Sequence, residues 1–233
     1  MILNIPHCGT ETIDRNINPF DIIRGTDWFT DELFSHRNTD RVVQKHSRFI
    51  VDCERLPDDI EPLLKDGYGI CYTKDFDGND IEVPNKDEMI KIYNDHHQEL
   101  NFQTRKILPY IPVVFVVDCH SWGDAQLKSD IDFCLGFNAD FNNFELLENL
   151  KNHLESNCYK VGINNPYSNA IVPNQFYGNE NVKSIMIEVN KRLYLKNQNT
   201  EDFGKSEGFE KTQKVITELL EIISQEERSY DYV

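Results

Sequence analysis

Six polar residues stand beside places where apolar runs of this chain begin or break off: His7, Asp27, Arg48, Arg55, His120 and Glu188. Brought to one point, they would supply the parts of a hydrolytic metal centre. Two imidazoles and one carboxylate hold a zinc ion and leave a position open for water, which separates a catalytic site from a closed structural one. A further glutamate beside that water takes its proton, and arginines hold a developing oxyanion and a substrate carboxylate. The chemistry of such a set is hydrolysis of an amide.

The elements that must position these residues are short strands. Val113 to Val117 is a run of five apolar, mostly β-branched or aromatic residues, as expected of a strand buried on both faces, and it leads into Asp118, His120 and Ser121. In open α/β sheets, reacting groups collect where strands run out. Read alone, the stretch is equally a capped turn with a buried core histidine. Ile2 to Ile5 repeats the pattern, ending in Pro6 and His7, so neighbouring strands would bring His7 and His120 together. Thr26 to Phe34 reads as the first turns of a helix, in which Asp27, Asp31 and Glu32 are either helix-start carboxylates or, in one case, a metal ligand. Phe49 to Val51 reads as a buried strand bracketed by Arg48 and Arg55. Those guanidiniums either bind a substrate carboxylate or pair with Asp52 or Glu54.

With 24 basic against 40 acidic residues and a formal net charge of −16, the chain lacks the basic footprint of a nucleic-acid or anionic-membrane partner. A small molecule is the expected ligand. No apolar run reaches the roughly 20 residues of a membrane span, and the N-terminus has no signal-peptide pattern, so a cytoplasmic protein is expected. The six cysteines include no C-x-x-C pair and are expected to be free thiols.

Further along, 88 to about 108 and 143 to 158 read as helices, 129 to 137 and 184 to 194 as strands, and 209 to 223 as an amphipathic helix before a polar, frayed tail at 225 to 233. Gly69 to Thr73 is a candidate short strand, and 161 onward reads as loop. Asp75 to Asp80 lacks the ligand spacing of a calcium loop and reads as a solvated turn. His96 and His97 are adjacent on a helix and face different directions, so they form no chelating pair. Alternating strands and helices without a linker predict a single α/β domain over 1 to 233, three layers α/β/α around a mixed, largely parallel sheet.

The motifs Pro6-His7-x-Gly9-Thr10, Thr26-Asp27-Trp28, His46-Ser47-Arg48-Phe49-x-x-Asp52-x-x-Arg55-x-Pro57-Asp58-Asp59, His97, Asp118-x-His120-Ser121 and Glu188-x-x-x-Arg192-x-Tyr194 occur in one order along most of the chain. In this the sequence resembles the N-formylglutamate amidohydrolase family. The resemblance implies a phosphorylase/hydrolase-like three-layer fold shared with zinc carboxypeptidases and aspartoacylase-like enzymes. It also implies a zinc-dependent hydrolase, another divalent metal being the alternative, that cleaves a small anionic N-acyl amino acid such as N-formylglutamate with metal-activated water. His7 and His120 then resemble metal ligands, Glu188 the general base and acid, Arg48 the oxyanion donor, and Arg55, Arg192 and Tyr194 the substrate-binding residues. Asp118 orients His120, with Ser121 beside it.

For the third ligand, zinc carboxypeptidases use a glutamate three residues after the first histidine. That position here is Thr10; Asp27 is preferred, with Glu11 the fallback. Glu54 stands where the family usually has Asn, which puts a carboxyl beside the substrate clamp. A carboxypeptidase-like or glutamyl-peptide hydrolase, or a ligand-binding relative that has lost its metal, are the alternative readings.

Overall fold

The structure is a computed structural model and describes residues 1–13, 15–37, 39–57, 60–124, 127–198 and 204–230. Asp58 and Asp59 of the longest motif lie outside the described residues. Six strands, β1 (Ile2–Ile5), β2 (Asp40–Val43), β3 (Val114–Trp122), β4 (Phe133–Gly136), β5 (Val161–Ile163) and β6 (Val182–Asn190), form one sheet in the order β2-β1-β3-β6-β4-β5. All neighbours are parallel except β4 and β6. The helices are α1 (Pro19–Gly25), α2 (Thr30–Leu33), α3 (Lys86–Ile107), α4 (Phe144–Ser156) and α5 (Phe209–Ser229). The three-layer α/β architecture is the expected one.

Alternation along the central strands divides the molecule into a packing face and a working face. Leu3, Ile5, Phe115, Val117, Cys119, Ile185, Ile187 and Val189 enter the large apolar cluster completed by Leu146, Leu150, Ile216 and Leu220 of α4 and α5. On the other face, Ile2 and Val114 pack against Leu100 of α3. Further along that face the residues turn polar: Asn4, Asp118, His120 and Glu188, all buried. The sheet therefore stores its hydrophobic stabilisation on one side and offers the C-terminal half of the other to chemistry.

Several elements differ from their sequence expectation. β3 runs through Trp122, so Asp118 and His120 lie on the strand itself. Phe49–Val51 is buried but is no strand, because the amides of Ile50 and Val51 both donate to the Ser47 carbonyl and close a turn. Residues 69–73 make only an isolated bridge, Tyr68 with Tyr72. Residues 161–163, expected as loop, form β5, because three residues centred on Gly162 carry no detectable period. The first helix begins at Pro19, with Asn18 accepting from the Phe20 amide, and ends before Thr26. α5 continues to Ser229 instead of fraying at 225, since Glu227 faces inward and accepts from the Met1 amino group and the Phe115 amide. The Asp75 carboxylate accepts from the amides of Asp77 and Asn79, the expected solvated turn. Among the described residues no helix is long and apolar enough to cross a membrane.

Candidate metal centre and active site

β1 and β3 are hydrogen-bonded neighbours, which brings His7 and His120 to one end of the sheet with ring centroids 5.1 Å apart. The turn that carries His7 is clamped against the chain following β2: the Glu11 amide donates to the Lys45 carbonyl, and the Ser47 amide to that of Glu11. Gly9 permits this approach, because a Cβ there would overlap the Lys45 carbonyl group. Asp27 follows the end of α1, and its amide donates to the His7 carbonyl at 2.9 Å. Its carboxylate therefore does not cap a helix. Oδ2 lies 3.8 Å from His7 Nδ1 and 3.4 Å from His120 Nδ1, and accepts from the Ser121 amide at 3.2 Å. Ligating atoms of His7, Asp27 and His120 all fall within 4.8 Å of one another.

Each imidazole is anchored through its other nitrogen. His7 Nε2 is 2.8 Å from Asp52 Oδ1, and His120 Nε2 is 3.0 Å from Asp118 Oδ1. A carboxylate behind the far nitrogen fixes ring orientation and raises ligand basicity. His7 Nδ1 and Asp27 Oδ1 are buried without a hydrogen-bond partner, an arrangement that an all-protein network rarely leaves. The donor set, two imidazole nitrogens and a carboxylate oxygen, is one that zinc accepts. The residues present fit a divalent cation.

The two histidines differ electrostatically. Burial, helped by the Arg48 charge, lowers His7 to about 4, so the ring is neutral at pH 7. Burial also opposes charge on His120, but the carboxylates of Asp118, Asp27 and Glu54 outweigh it and hold the ring well above its ordinary value. Asp27 is lowered to about 2: burial works against ionisation, and His120, Lys191 and His7 overcome it.

Asp52 is the hub of a cationic half of the site. Its carboxylate accepts from His7, from Arg48 at 3.1 Å and from the Tyr72 hydroxyl at 2.6 Å, and lies 3.4 Å from Arg55 Nε. The pairing alternative for the arginines is thus realised, yet one carboxylate faces two guanidiniums and leaves an unbalanced positive charge. Arg48 Nε is buried without a hydrogen-bond acceptor. On the other side, the Asn4 side-chain amide donates to Glu54 Oε1 and Asp118 Oδ1, both at 2.8 Å, and its oxygen accepts from His96 Nε2. Burial and the neighbouring Asp118 push Glu54 well above the usual carboxylate range. Glu54, Asp118 and His120 form a second group of closely spaced ligating atoms.

Glu188 lies opposite His120 in the β3–β6 register, and its Oε2 is buried without a partner. Burial raises it to about 8; the Asp27 charge adds to this while His120, Arg48 and Lys191 oppose it. Beyond β6, Lys191 is enclosed, with Nζ 3.6 Å from Asp27 Oδ1.

Other sequence candidates are used differently. The Arg192 guanidinium donates to the carbonyls of Ser129, Asp130 and Ile131 and to Asp132, which ties down the approach to β4 instead of reaching the cluster. Tyr194 is buried and donates to Ser121 Oγ at 2.8 Å, so both belong to the support of β3. Glu11 is an exposed side chain 3.5 Å from His46 and takes no part in the triad. His97 donates to or accepts from nothing in the triad; its Nε2 bonds the Cys53 carbonyl. No disulfide joins any of the six cysteines. Sequence reading missed Asn4, Tyr72 and Lys191. A polar residue inside the apolar run Ile2–Ile5 signals Asn4; Tyr72 and Lys191 carry no such signal.

Among solved structures, the fold is similar to N-formylglutamate amidohydrolase from Ralstonia eutropha JMP134, with a TM-score of 0.82 and 22% identity over 98% of this chain and 94% of that one. A gene product of Agrobacterium tumefaciens is a more distant likeness, with a TM-score of 0.56 and 15% identity over 96% and 91% of the two chains. No curated protein sequence matches significantly. The family model described as N-formylglutamate amidohydrolase matches residues 1–195, a span that contains every residue of the His7–Asp27–His120 cluster and its supports, and the chain therefore belongs to the N-formylglutamate amidohydrolase family.

Proposed function

We propose that the protein hydrolyses the amide of a small N-acyl amino acid, with N-formylglutamate the first substrate to test, using a divalent cation, zinc by preference, held by His7, Asp27 and His120. The observation that carries this reading is the pair of imidazoles whose Nε2 atoms are anchored by Asp52 and Asp118 while both Nδ1 atoms face Asp27 Oδ2. A cation bound there supplies Lewis acidity, which acidifies water and polarises the acyl carbonyl.

The chain's own residues supply the rest. Glu188, with a free buried oxygen and a value of about 8, exchanges its proton near neutral pH. It accepts the proton of the attacking water and returns it to the leaving amine nitrogen. Arg48 offers its unpartnered Nε to the oxyanion that forms on the acyl oxygen. The positive charge left over after Asp52 faces both Arg48 and Arg55 holds a substrate carboxylate. Burial and the neighbouring Asp118 hold Glu54 well above the carboxylate range, which favours its neutral form, and a carboxylic acid presents one donor and one acceptor much as an amide would. Its presence is thus compatible with an anionic substrate.

Formate release from N-formylglutamate, beside acetyl amino acids and glutamyl peptides as alternatives, tests the reading together with metal analysis. The Glu188→Gln variant should keep its zinc and lose turnover by about 10²–10⁴-fold. Full activity in that variant removes Glu188 from the mechanism, and wild-type protein that takes up no divalent metal under supplementation removes the metal centre.

A further inference from the structure

Lys191 touches the cluster, yet neither the ligand set nor the proposed catalytic steps use it. It follows the last residue of β6 and opens a short 3-10 turn, Lys191–Leu193, with its side chain only 1% exposed. Among the described residues its ammonium has two polar contacts, both long: Nζ lies 3.6 Å from Asp27 Oδ1 and donates to the Arg24 carbonyl at 3.4 Å. An ammonium has three protons to place, and a buried one so loosely bonded costs the fold more than a methionine or leucine of similar volume would. Packing alone gives no reason to keep it. The charge, in contrast, has an evident object. Asp27 Oδ2 is turned to both histidines and the Ser121 amide, whereas Oδ1 has no hydrogen bond and faces Lys191.

We infer that Lys191 is a positioning residue: a fixed counter-ion to Asp27 that holds the ligand carboxylate ready before metal arrives and weakens metal binding by repelling the incoming cation. This rests on the metal-centre reading above and deepens it. The ammonium acts through Asp27, at the oxygen opposite the one facing the imidazoles, and touches no substrate. Because the contact is long and enclosed, its effect is one of charge more than of directional hydrogen bonding, so arginine should preserve it and a neutral side chain should not.

The test is zinc affinity, read by competition with a chromogenic chelator, together with the thermal midpoint of chelator-treated protein. Lys191→Met should bind zinc about tenfold more tightly or better than wild type, because a positive charge beside a dication site has been removed. Its metal-free midpoint should fall, because buried Asp27 then keeps His120 as a cationic neighbour but loses the charge facing Oδ1. Lys191→Arg should stay near wild type in both. If Lys191→Met does not fold, Lys191→Gln retains a donor for the Arg24 carbonyl and is compared in the same way. Unchanged or weaker zinc binding in the neutral variants overturns the inference while leaving the metal centre intact. Wild-type protein that binds no zinc overturns the metal centre. In that case the coupling of Lys191→Met with Asp27→Asn in the metal-free midpoint still decides the counter-ion role: non-additive effects support it and additive ones refute it.

Discussion

The imidazoles of His7 and His120 share a mode of attachment but not an electrostatic setting. Each gives Nε2 to an aspartate and turns Nδ1 toward Asp27. Yet the anchor of His7 is wrapped by Arg48, Arg55 and the Tyr72 hydroxyl, and that of His120 by Asn4 and a second carboxyl, Glu54. One side of the site is therefore cationic and suited to substrate carboxylates and an oxyanion, while the other is acidic and suited to a cation and to protons. The sheet makes this division natural. The chain after β2 supplies both arginines and Glu54, while β3 and β6 supply Asp118 and Glu188. Asp27 lies between them because its amide is tied to His7 and its carboxylate to the Ser121 amide.

Removing the two anchors separates these halves. Asp52→Asn strips the only carboxylate seen to face both guanidiniums among the described residues, and breaking a buried ion pair from one side costs about 3–5 kcal/mol. Asp118→Asn keeps an oxygen for the Ile171 amide, and His120 keeps the Asp27 carboxylate at 3.4 Å as a counter-ion, so its cost should be the smaller, about 1–3 kcal/mol. Both should weaken zinc binding by about 10–100-fold, since each orients a ligand. Urea denaturation of metal-free protein measures the first effect and chelator competition the second. Equal loss of stability in the two variants would contradict the division into unlike halves.

A smaller effect appears in the pH dependence of stability with cations chelated. Glu188 is raised from 4.5 to about 8, so the folded state binds a proton that the unfolded state has lost between those values. Its contribution is therefore present in full below pH 4.5, declines as pH rises through that window, and levels off above about pH 8. The slope is at most about 1.4 kcal/mol per pH unit. Asp27, lowered to about 2, has the opposite sign: its contribution is present above its ordinary 3.8 and is lost as pH falls toward 2. The Glu188→Gln variant should show a shallower decline from pH 5 to pH 8 than wild type. Parallel curves would mean that the acidic half does not hold this carboxyl protonated.

The strands that carry the site were legible because buried parallel strands are written as apolar runs, and β1, broken by Asn4 alone, and the start of β3 are such runs with a histidine beyond them. That pattern points to His7 and His120, and the structure brings both within reach of Asp27. The segment Phe49–Val51 misled for the same reason: three apolar residues are equally a buried turn, and only the bonds to the Ser47 carbonyl distinguish them. Lys191 could not be found at all. In the sequence it is half of an ordinary basic pair with Arg192. Burial alone reveals that one of the two faces the cluster and the other an outlying loop.

That last contrast yields the smallest prediction. Arg192 and Tyr194 follow Glu188 in the family motif and were read as substrate contacts, but their bonds go to the chain before β4 and to Ser121. Tyr194→Phe should remove one buried hydrogen bond, worth about 1 kcal/mol, with KM for N-formylglutamate unchanged. Arg192→Ala exposes no unpaired acid deep in the site, because Asp132 is near the surface, and should likewise alter stability more than KM. Arg55→Ala, in the cationic half, should raise KM. A KM increase in Arg192→Ala as large as that in Arg55→Ala would place the substrate carboxylate on the far side of β6 and reverse the assignment of the two halves.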